Sequence, residues 1–295
     1  MTASTILITG CSSGFGRVTA ETLARQGHTV FASMRDITGK NKDAANALQT
    51  LAQQESLRLP VVELDVTSDA SVQAALQTIL AAAGRIDVVV HNAGRGIVGL
   101  TEGISTAEVQ ALLDVNVLGA LRVNQAVLPI MRQQGAGLLV YLSSTGSQIV
   151  YPFMGLYGAT KAALAGIAET LHYEVFSLGI DTTIIQAGMY ATNFGYNVAA
   201  PEQRALAAAY GLAGQIAQGY AAGYAGVMSA GGNPQEVADL IAQLIALPTG
   251  QRPLHTAIGP YTEGAIMINQ TIDMVQSQVL PSLGLSSLLT RPSGA

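Results

Sequence analysis

Three side chains in the middle of the chain have the types and spacing that proton transfer to an oxygen requires. Ser143-Ser144 closes an apolar run, Tyr157 stands thirteen residues beyond Ser144, and Lys161 four beyond that. Residues at i and i+4 share one face of a helix. An ammonium beside a phenol stabilises the phenolate and lowers its pKa from about 10. Such a tyrosine can exchange a proton with an alcohol or a carbonyl near neutral pH. The Ser144 hydroxyl, at a strand end, could hold the same oxygen. Tyr-x-x-x-Lys alone is common on helices by chance, so its weight depends on what accompanies it.

A second group suits a nucleotide. The first apolar run ends in Thr9-Gly10-Cys11-Ser12-Ser13-Gly14-Phe15-Gly16. Glycines at 10, 14 and 16 let the backbone turn tightly and approach a pyrophosphate, and the helix that follows aims its first N–H groups at the phosphates. Asp65, in Leu64-Asp65-Val66, is placed to accept an adenine amino group. Asn92-Ala93-Gly94 offers small residues at another strand end. Ligands of open α/β sheets bind at the carboxyl ends of the strands.

The elements that position these residues alternate. Short apolar runs at 5–9, 29–34, 61–64, 86–91, 137–142 and 181–185 read as strands, with a last one at 254–258. Amphipathic stretches between them read as helices, one running unbroken from the capping signal Ser105-Thr106-Ala107-Glu108 to about Gln134. Strands apolar on both faces that alternate with helices predict a parallel sheet covered on both sides. The expected fold is a Rossmann-type, doubly wound α/β sheet in one domain over residues 1–295. Residues 189–232 form an insertion and 260–295 a tail.

Composition narrows the function classes. The chain has 295 residues, 49% of them hydrophobic and 11% charged, with a net charge of −5 and a single cysteine. An ordinary soluble domain carries about 25% charged residues. So few cations, without a Lys/Arg cluster, leave no footprint for nucleic acid. One cysteine excludes intrachain disulfides and suits a reducing cytosol. The charge-free run 205–235 is mostly Ala, Gly and Gln, too weakly apolar for a transmembrane segment. His28, His91, His172 and His255 fit no metal-ligand spacing, so no metal is expected.

Together these motifs resemble the classical short-chain dehydrogenases/reductases, and within them the 17β-hydroxysteroid and retinol dehydrogenase branch. The resemblance covers residues 4–190 densely and reaches more loosely to Gly259. It implies a catalytic set of Ser144, Tyr157, Lys161 and Asn116, the last in Asp114-Val115-Asn116-Val117, where it would hold a water leading from Lys161 to solvent. It implies a dinucleotide held by Gly10, Ser12, Ser13, Gly14, Phe15, Gly16, Asp65, Val66, Asn92, Ala93, Gly94, Tyr157 and Lys161, with Gly188 and Thr192 near the nicotinamide amide. The family's Pro-Gly pair is Ala187-Gly188 here, and His91 replaces its usual first asparagine; a structural, hydrogen-bonded His91 is expected.

NADP(H) is the expected cofactor. Met34 falls where NAD-specific members place an acid, and Arg35 follows it, suited to a 2′-phosphate; Ser33 adds a hydroxyl and Asp36 is a complication. The roughly forty residues between Thr192 and Pro234 are far more than an ordinary α/β connection needs. With Phe194, Tyr196, Tyr210, Tyr220 and Tyr224 among small residues, they read as an apolar lid, opposite Phe153 and Met154. That predicts a lipophilic alcohol or ketone as substrate. The sparsely charged helix after Glu108 predicts a homodimer or homotetramer, and a cytoplasmic location is expected. The rival readings are a dinucleotide sensor without activity, and a sugar-nucleotide epimerase or dehydratase of the extended branch.

Overall fold

The computed structural model describes residues 3–192, 194, 204–229 and 231–290. The β-branched and apolar runs become seven strands: β1 (Thr5–Ile8), β2 (Thr29–Met34), β3 (Val61–Glu63), β4 (Val88–His91), β5 (Gly137–Ser144), β6 (Ile180–Ala187) and β7 (His255–Ile258). They form one sheet in the order β3-β2-β1-β4-β5-β6-β7, and every pair is parallel. The order reverses between β1 and β4, so a crevice opens beyond their carboxyl ends. Register brings Ser144 beside Ala187, at the ends of β5 and β6.

Helices α1 (Gly14–Arg25), α2 (Lys42–Gln54), α3 (Asp69–Ala83), α4 (Thr106–Leu113), α5 (Gly119–Gln134), α6 (Gly155–Val175) and α9 (Gln235–Ala246) cover the sheet. Each face has its own apolar core. Ile6, Ile8, Val88, Val90 and Val140 pack toward α1 and α9, whereas Leu7, Val89, Leu139 and Tyr141 pack toward α3, α5 and α6. This is the two-sided burial expected of central parallel strands.

The expected unbroken helix from 105 to 134 is in fact divided. Ser105 and Glu108 make the capping box, but residues Asp114–Leu118 form a π-helical turn between α4 and α5. A Cβ on Gly119 would meet the Val66 side chain at 2.8 Å, so glycine lets the helix resume tight against the β3 end. The wide turn buries Asn116 at 1% exposure; π-bulges of this kind are frequent at functional sites. By length and composition the run 106–134 is apolar enough to cross a bilayer, yet it packs against α3 and α6.

Two helices occupy the expected insertion, α7 (Arg204–Ala209) and α8 (Gly211–Ser229), and the expected tail folds largely as α10 (Glu263–Ser282).

Candidate active site

A cleft of about 870 Å³ runs along the strand ends. Gly10, Ser12, Ser13, Gly14 and Phe15 line one stretch, where Gly10 (φ +76°) and Gly14 (φ +58°) adopt left-handed backbone. A side chain on Gly10 would also meet the Ala93 Cα at 2.9 Å. The Ser13 side chain makes no capping bond to α1, which leaves the first N–H groups of that helix available to an anion. Gly16 does not line the cleft; it is where α1 packs against Asn92. The Asn92 amide donates to the carbonyls of Thr9 (2.8 Å) and Gly10 (2.9 Å), and the Thr9 hydroxyl accepts from the Asn92 and Ala93 N–H groups, each at 3.0 Å. The β1 and β4 ends are thus laced together beneath the turn.

The β2 end supplies cations. Arg35, Lys40 and Asn41 line the cleft beside Met34. Asp36, at φ +50°, accepts from the Lys40 N–H at 2.8 Å and braces its own turn. Ser33 does not face the cleft: it is fully buried, and its hydroxyl donates to the Ile8 carbonyl at 2.9 Å. Its small side chain lets β2 pack against β1. Asp65 and Val66 line the adjacent wall, and Asp65 accepts from both the N–H and the hydroxyl of Thr67.

At the β5 end, Ser144, Tyr157 and Lys161 converge. Ser144 ends β5 and its oxygen accepts from the Gly146 N–H at 3.1 Å, capping the short turn Thr145–Ser147. Tyr157 and Lys161 lie on α6 and are buried. Burial pushes the Tyr157 phenol up to about 12, against which the hydrogen bond from Ser144 acts. Desolvation pulls the Lys161 ammonium down to about 8. Lys161 Nζ donates to the Leu142 carbonyl at 2.7 Å and lies 5.9 Å from the Tyr157 ring centroid. Burial thus dominates both groups: the phenol is raised where a lowering by the lysine was expected, and the ammonium gives its hydrogen bond to β5.

Asn116 is held by hydrogen bonds on both sides. Its Oδ1 accepts from the Arg95 N–H, while its amide nitrogen donates to the Arg95 carbonyl and the Thr160 hydroxyl, all at 2.9 Å. Thr160 in turn donates to the Tyr157 carbonyl at 2.8 Å. Asn116 thus braces the turn after Gly94 against the tyrosine-bearing helix, and a Cβ on Gly94 would lie 3.4 Å from its Oδ1 and 3.7 Å from Lys161 Nζ.

The remaining expected residues divide. Gly188, Thr192, Met154 and Phe194 line the cleft, and the Phe194 ring lies 5.4 Å from that of Tyr157. Phe153, at φ +68°, does not itself line the cleft; it packs behind the wall, on Met154 and Tyr157 on one side and on Leu100, Ala207 and Ala217 beneath α7 and α8 on the other. Tyr196 and the Tyr224 side chain lie outside the described residues. His91 is buried, stacks on Tyr141 at 4.5 Å, and is driven by burial down to about 3, which keeps it neutral. Cys11 is buried too, its thiol pushed up to about 12. Sequence reasoning left out Arg95, Tyr151 and Tyr190, which line the cleft, and Thr160. Thr160 was legible in principle, one residue before Lys161 and three after Tyr157.

A family model described as short chain dehydrogenase matches residues 4–203, more than half of the chain. The chain belongs to this family. Among curated relatives, estradiol 17-beta-dehydrogenase 1 of Rattus norvegicus is 34% identical over 84% of this chain and 72% of its own length. Human retinol dehydrogenase 8 is 39% identical over 64% of this chain and 60% of its own. A 3-ketodihydrosphingosine reductase of Bacteroides thetaiotaomicron is 38% identical over 65% and 66%. The chain thus spans less than two thirds of the last two relatives. Among solved structures, a short-chain dehydrogenase from Streptomyces avermitilis superposes with a TM-score of 0.77 at 30% identity, covering 97% of this chain and 98% of that one. An alcohol dehydrogenase from Thermococcus sibiricus complexed with 5-hydroxy-NADP superposes with a TM-score of 0.70 at 25% identity, over 89% and 98%.

Proposed function

We propose that the protein is an NADP(H)-dependent oxidoreductase that interconverts a lipophilic secondary alcohol and its ketone. The observation that carries this reading is a single cleft with the glycine turn and the Arg35/Lys40 cations toward one end and the Ser144–Tyr157–Lys161 group toward the other. The residues fit a dinucleotide: the uncapped start of α1 suits the pyrophosphate, and Asp65 the adenine. A 2′-phosphate is supported by Arg35 and Lys40, since Asp36 spends its carboxylate on the turn amide. When bound, the nicotinamide supplies or accepts a hydride.

The protein's own groups handle the oxygen. Ser144 and Tyr157 hydrogen-bond the substrate carbonyl. As negative charge develops on that oxygen, Tyr157 donates its proton, and in the reverse direction it takes the proton back. A phenol raised to about 12 is fully protonated at neutral pH and ready for the reductive direction. The buried Lys161 ammonium places positive charge beside the forming phenolate, where low dielectric strengthens it.

Substrate class follows from the cleft wall. Tyr151, Met154, Phe194 and Tyr220 line it, and the Tyr220 hydroxyl lies 3.5 Å from the Met154 sulfur. Helices α7 and α8 pack Ala207 and Ala217 onto Leu100 and act as the lid. Two of the curated relatives are named for estradiol and retinol, both bulky and apolar. The test follows NADPH absorbance with cyclohexanone, 2-decalone and a four-ring 17-ketosteroid, against pyruvate and fructose. The expected result is kcat/KM rising with apolar area. A flat series, or a preference for the keto acid or the sugar, overturns the lipophilic assignment.

A further inference from the structure

The C-terminal helix α10 reaches the site through a chain of three amides, two buried and one half-buried. Gln148 Nε2 donates to Asn269 Oδ1 at 2.8 Å, and Asn269 Nδ2 donates to Gln186 Oε1 at 2.6 Å. Asn269 is 7% exposed and Gln186 1%. In both contacts an amino group faces a carbonyl, so Asn269 uses both ends of its amide, while the outer Gln148 Oε1 and Gln186 Nε2 have no hydrogen-bond partner among the described residues. The two ends join the halves of the catalytic floor. Gln148 follows the turn that Ser144 caps, and its N–H, like that of Ile149, donates to the Thr145 carbonyl. The Thr145 hydroxyl in turn meets the Tyr151 hydroxyl at 3.1 Å, and Tyr151 lines the cleft. Gln186 sits on β6 opposite Ser143, two residues before Gly188. A second contact reinforces the first: a Cβ on Gly264, in the opening turn of α10, would lie 3.2 Å from the Ile149 Cδ1.

We propose that Asn269 is a positioning residue for the substrate wall, acting through Gln148 on the Ser144–Tyr151 loop. The proposal deepens the oxidoreductase reading and rests on it for its kinetic part. An alanine or leucine at a mere packing position would serve as well; a paired amide serves only to fix two partners in orientation. Buried amides pay desolvation that one partner alone does not return, so breaking the middle of the chain releases both ends. Gln148 then frees its loop, and the wall around Tyr151 and Met154 loosens. Most residues placed for the cofactor, at the ends of β1, β2, β3 and β4, lie on other elements and are left in place, and Gly188 beyond β6 keeps its own N–H bond to the Ile258 carbonyl.

The test compares Asn269→Leu, Gln148→Leu, the double variant and Leu280→Ala. Leu280 is 7% exposed on the same helix and takes no part in the amide chain. With saturating NADPH, Asn269→Leu is expected to raise KM for 2-decalone about tenfold more than KM for cyclohexanone, about 1.4 kcal/mol by the tenfold rule. The kcat is expected to stay within about threefold and the NADPH Kd within about twofold. The double variant is expected to lose no more than the larger single loss, since both break one pathway. Leu280→Ala is expected to lower Tm and leave the KM ratio alone. Amide hydrogen exchange supplies a readout that needs no substrate: residues 146–151 exchange faster in Asn269→Leu and not in Leu280→Ala. Should Asn269→Leu fail to fold, Asn269→Ser carries the same comparison. An unchanged KM ratio and unchanged exchange in 146–151, or equal effects from Leu280→Ala, overturn the proposal. Wild-type protein that turns over neither ketone overturns the functional reading instead, and the exchange data then decide the positioning claim.

Discussion

The Lys161 ammonium lies 5.9 Å from the centroid of the Tyr157 ring, yet it gives its 2.7 Å hydrogen bond to the Leu142 carbonyl rather than to the phenol. A buried charge is tied to the sheet and held alongside the reacting tyrosine. Burial opposes the charged form of both groups, lowering the lysine to about 8 and raising the tyrosine to about 12.

That arrangement costs stability. Lysine ordinarily titrates near 10.4. Between about 8 and that value the unfolded chain binds more protons at this position than the folded one, so this site's contribution to stability rises with pH across the window. Below about 8 the folded state holds a desolvated ammonium, at a cost on the order of 3 kcal/mol. Lys161→Met is expected to be more stable than wild type at pH 7, with the gap narrowing toward pH 10. Paired thermal melts across that range check it; a variant less stable at pH 7, or a constant gap, contradicts it. Ketone reduction by wild type is expected to fall as pH rises through about 8.

Cofactor choice is expected to depend on Arg35 and Lys40. Arg35→Ala is expected to cut kcat/KM with NADPH at least about tenfold and with NADH by less than about twofold, since a charge-assisted bidentate contact is worth roughly 1.5–3 kcal/mol. Initial rates with both cofactors measure this. Equal losses with the two, or equal wild-type efficiency, would contradict the assignment.

Much of this was readable in the chain, and the exceptions have physical reasons. The seven strands announce themselves because parallel central strands are apolar on both faces, and the glycine turn because left-handed φ at 10 and 14 admits few other residues. The π turn at 114–118 was not readable: the inserted residue turns the later helix face by about 100°, but a run with so few charged residues has no polar stripe to betray the turn. Ser33 looked like a ligand because its hydroxyl stands two residues before Arg35 at the same strand end, but that hydroxyl has a backbone acceptor across the strand pair, the Ile8 carbonyl. The Gln148–Asn269–Gln186 chain joins residues up to 121 positions apart and has no local signature.

Association is expected through the helix pair α5 and α6. Leu121, Leu128, Ile167 and Leu171 line a groove between them on the surface away from the cleft. A lone domain would normally put more charge there. Light scattering is expected to give a homodimer or homotetramer, at least about twice the 30.4 kDa chain mass, and Ile167→Asp to reduce it to that of the single chain. A wild-type mass of one chain at micromolar concentration would contradict this.

The central claim is that Tyr157 moves the proton, and replacing its hydroxyl alone tests it most directly. Tyr157→Phe keeps the ring that packs against Phe194 and removes only the donor. Steady-state reduction of 2-decalone is expected to slow at least about a hundredfold, the usual size of an acid–base contribution, with the NADPH Kd changed less than about twofold. A phenylalanine variant that reduces the ketone at near wild-type rate would contradict the account.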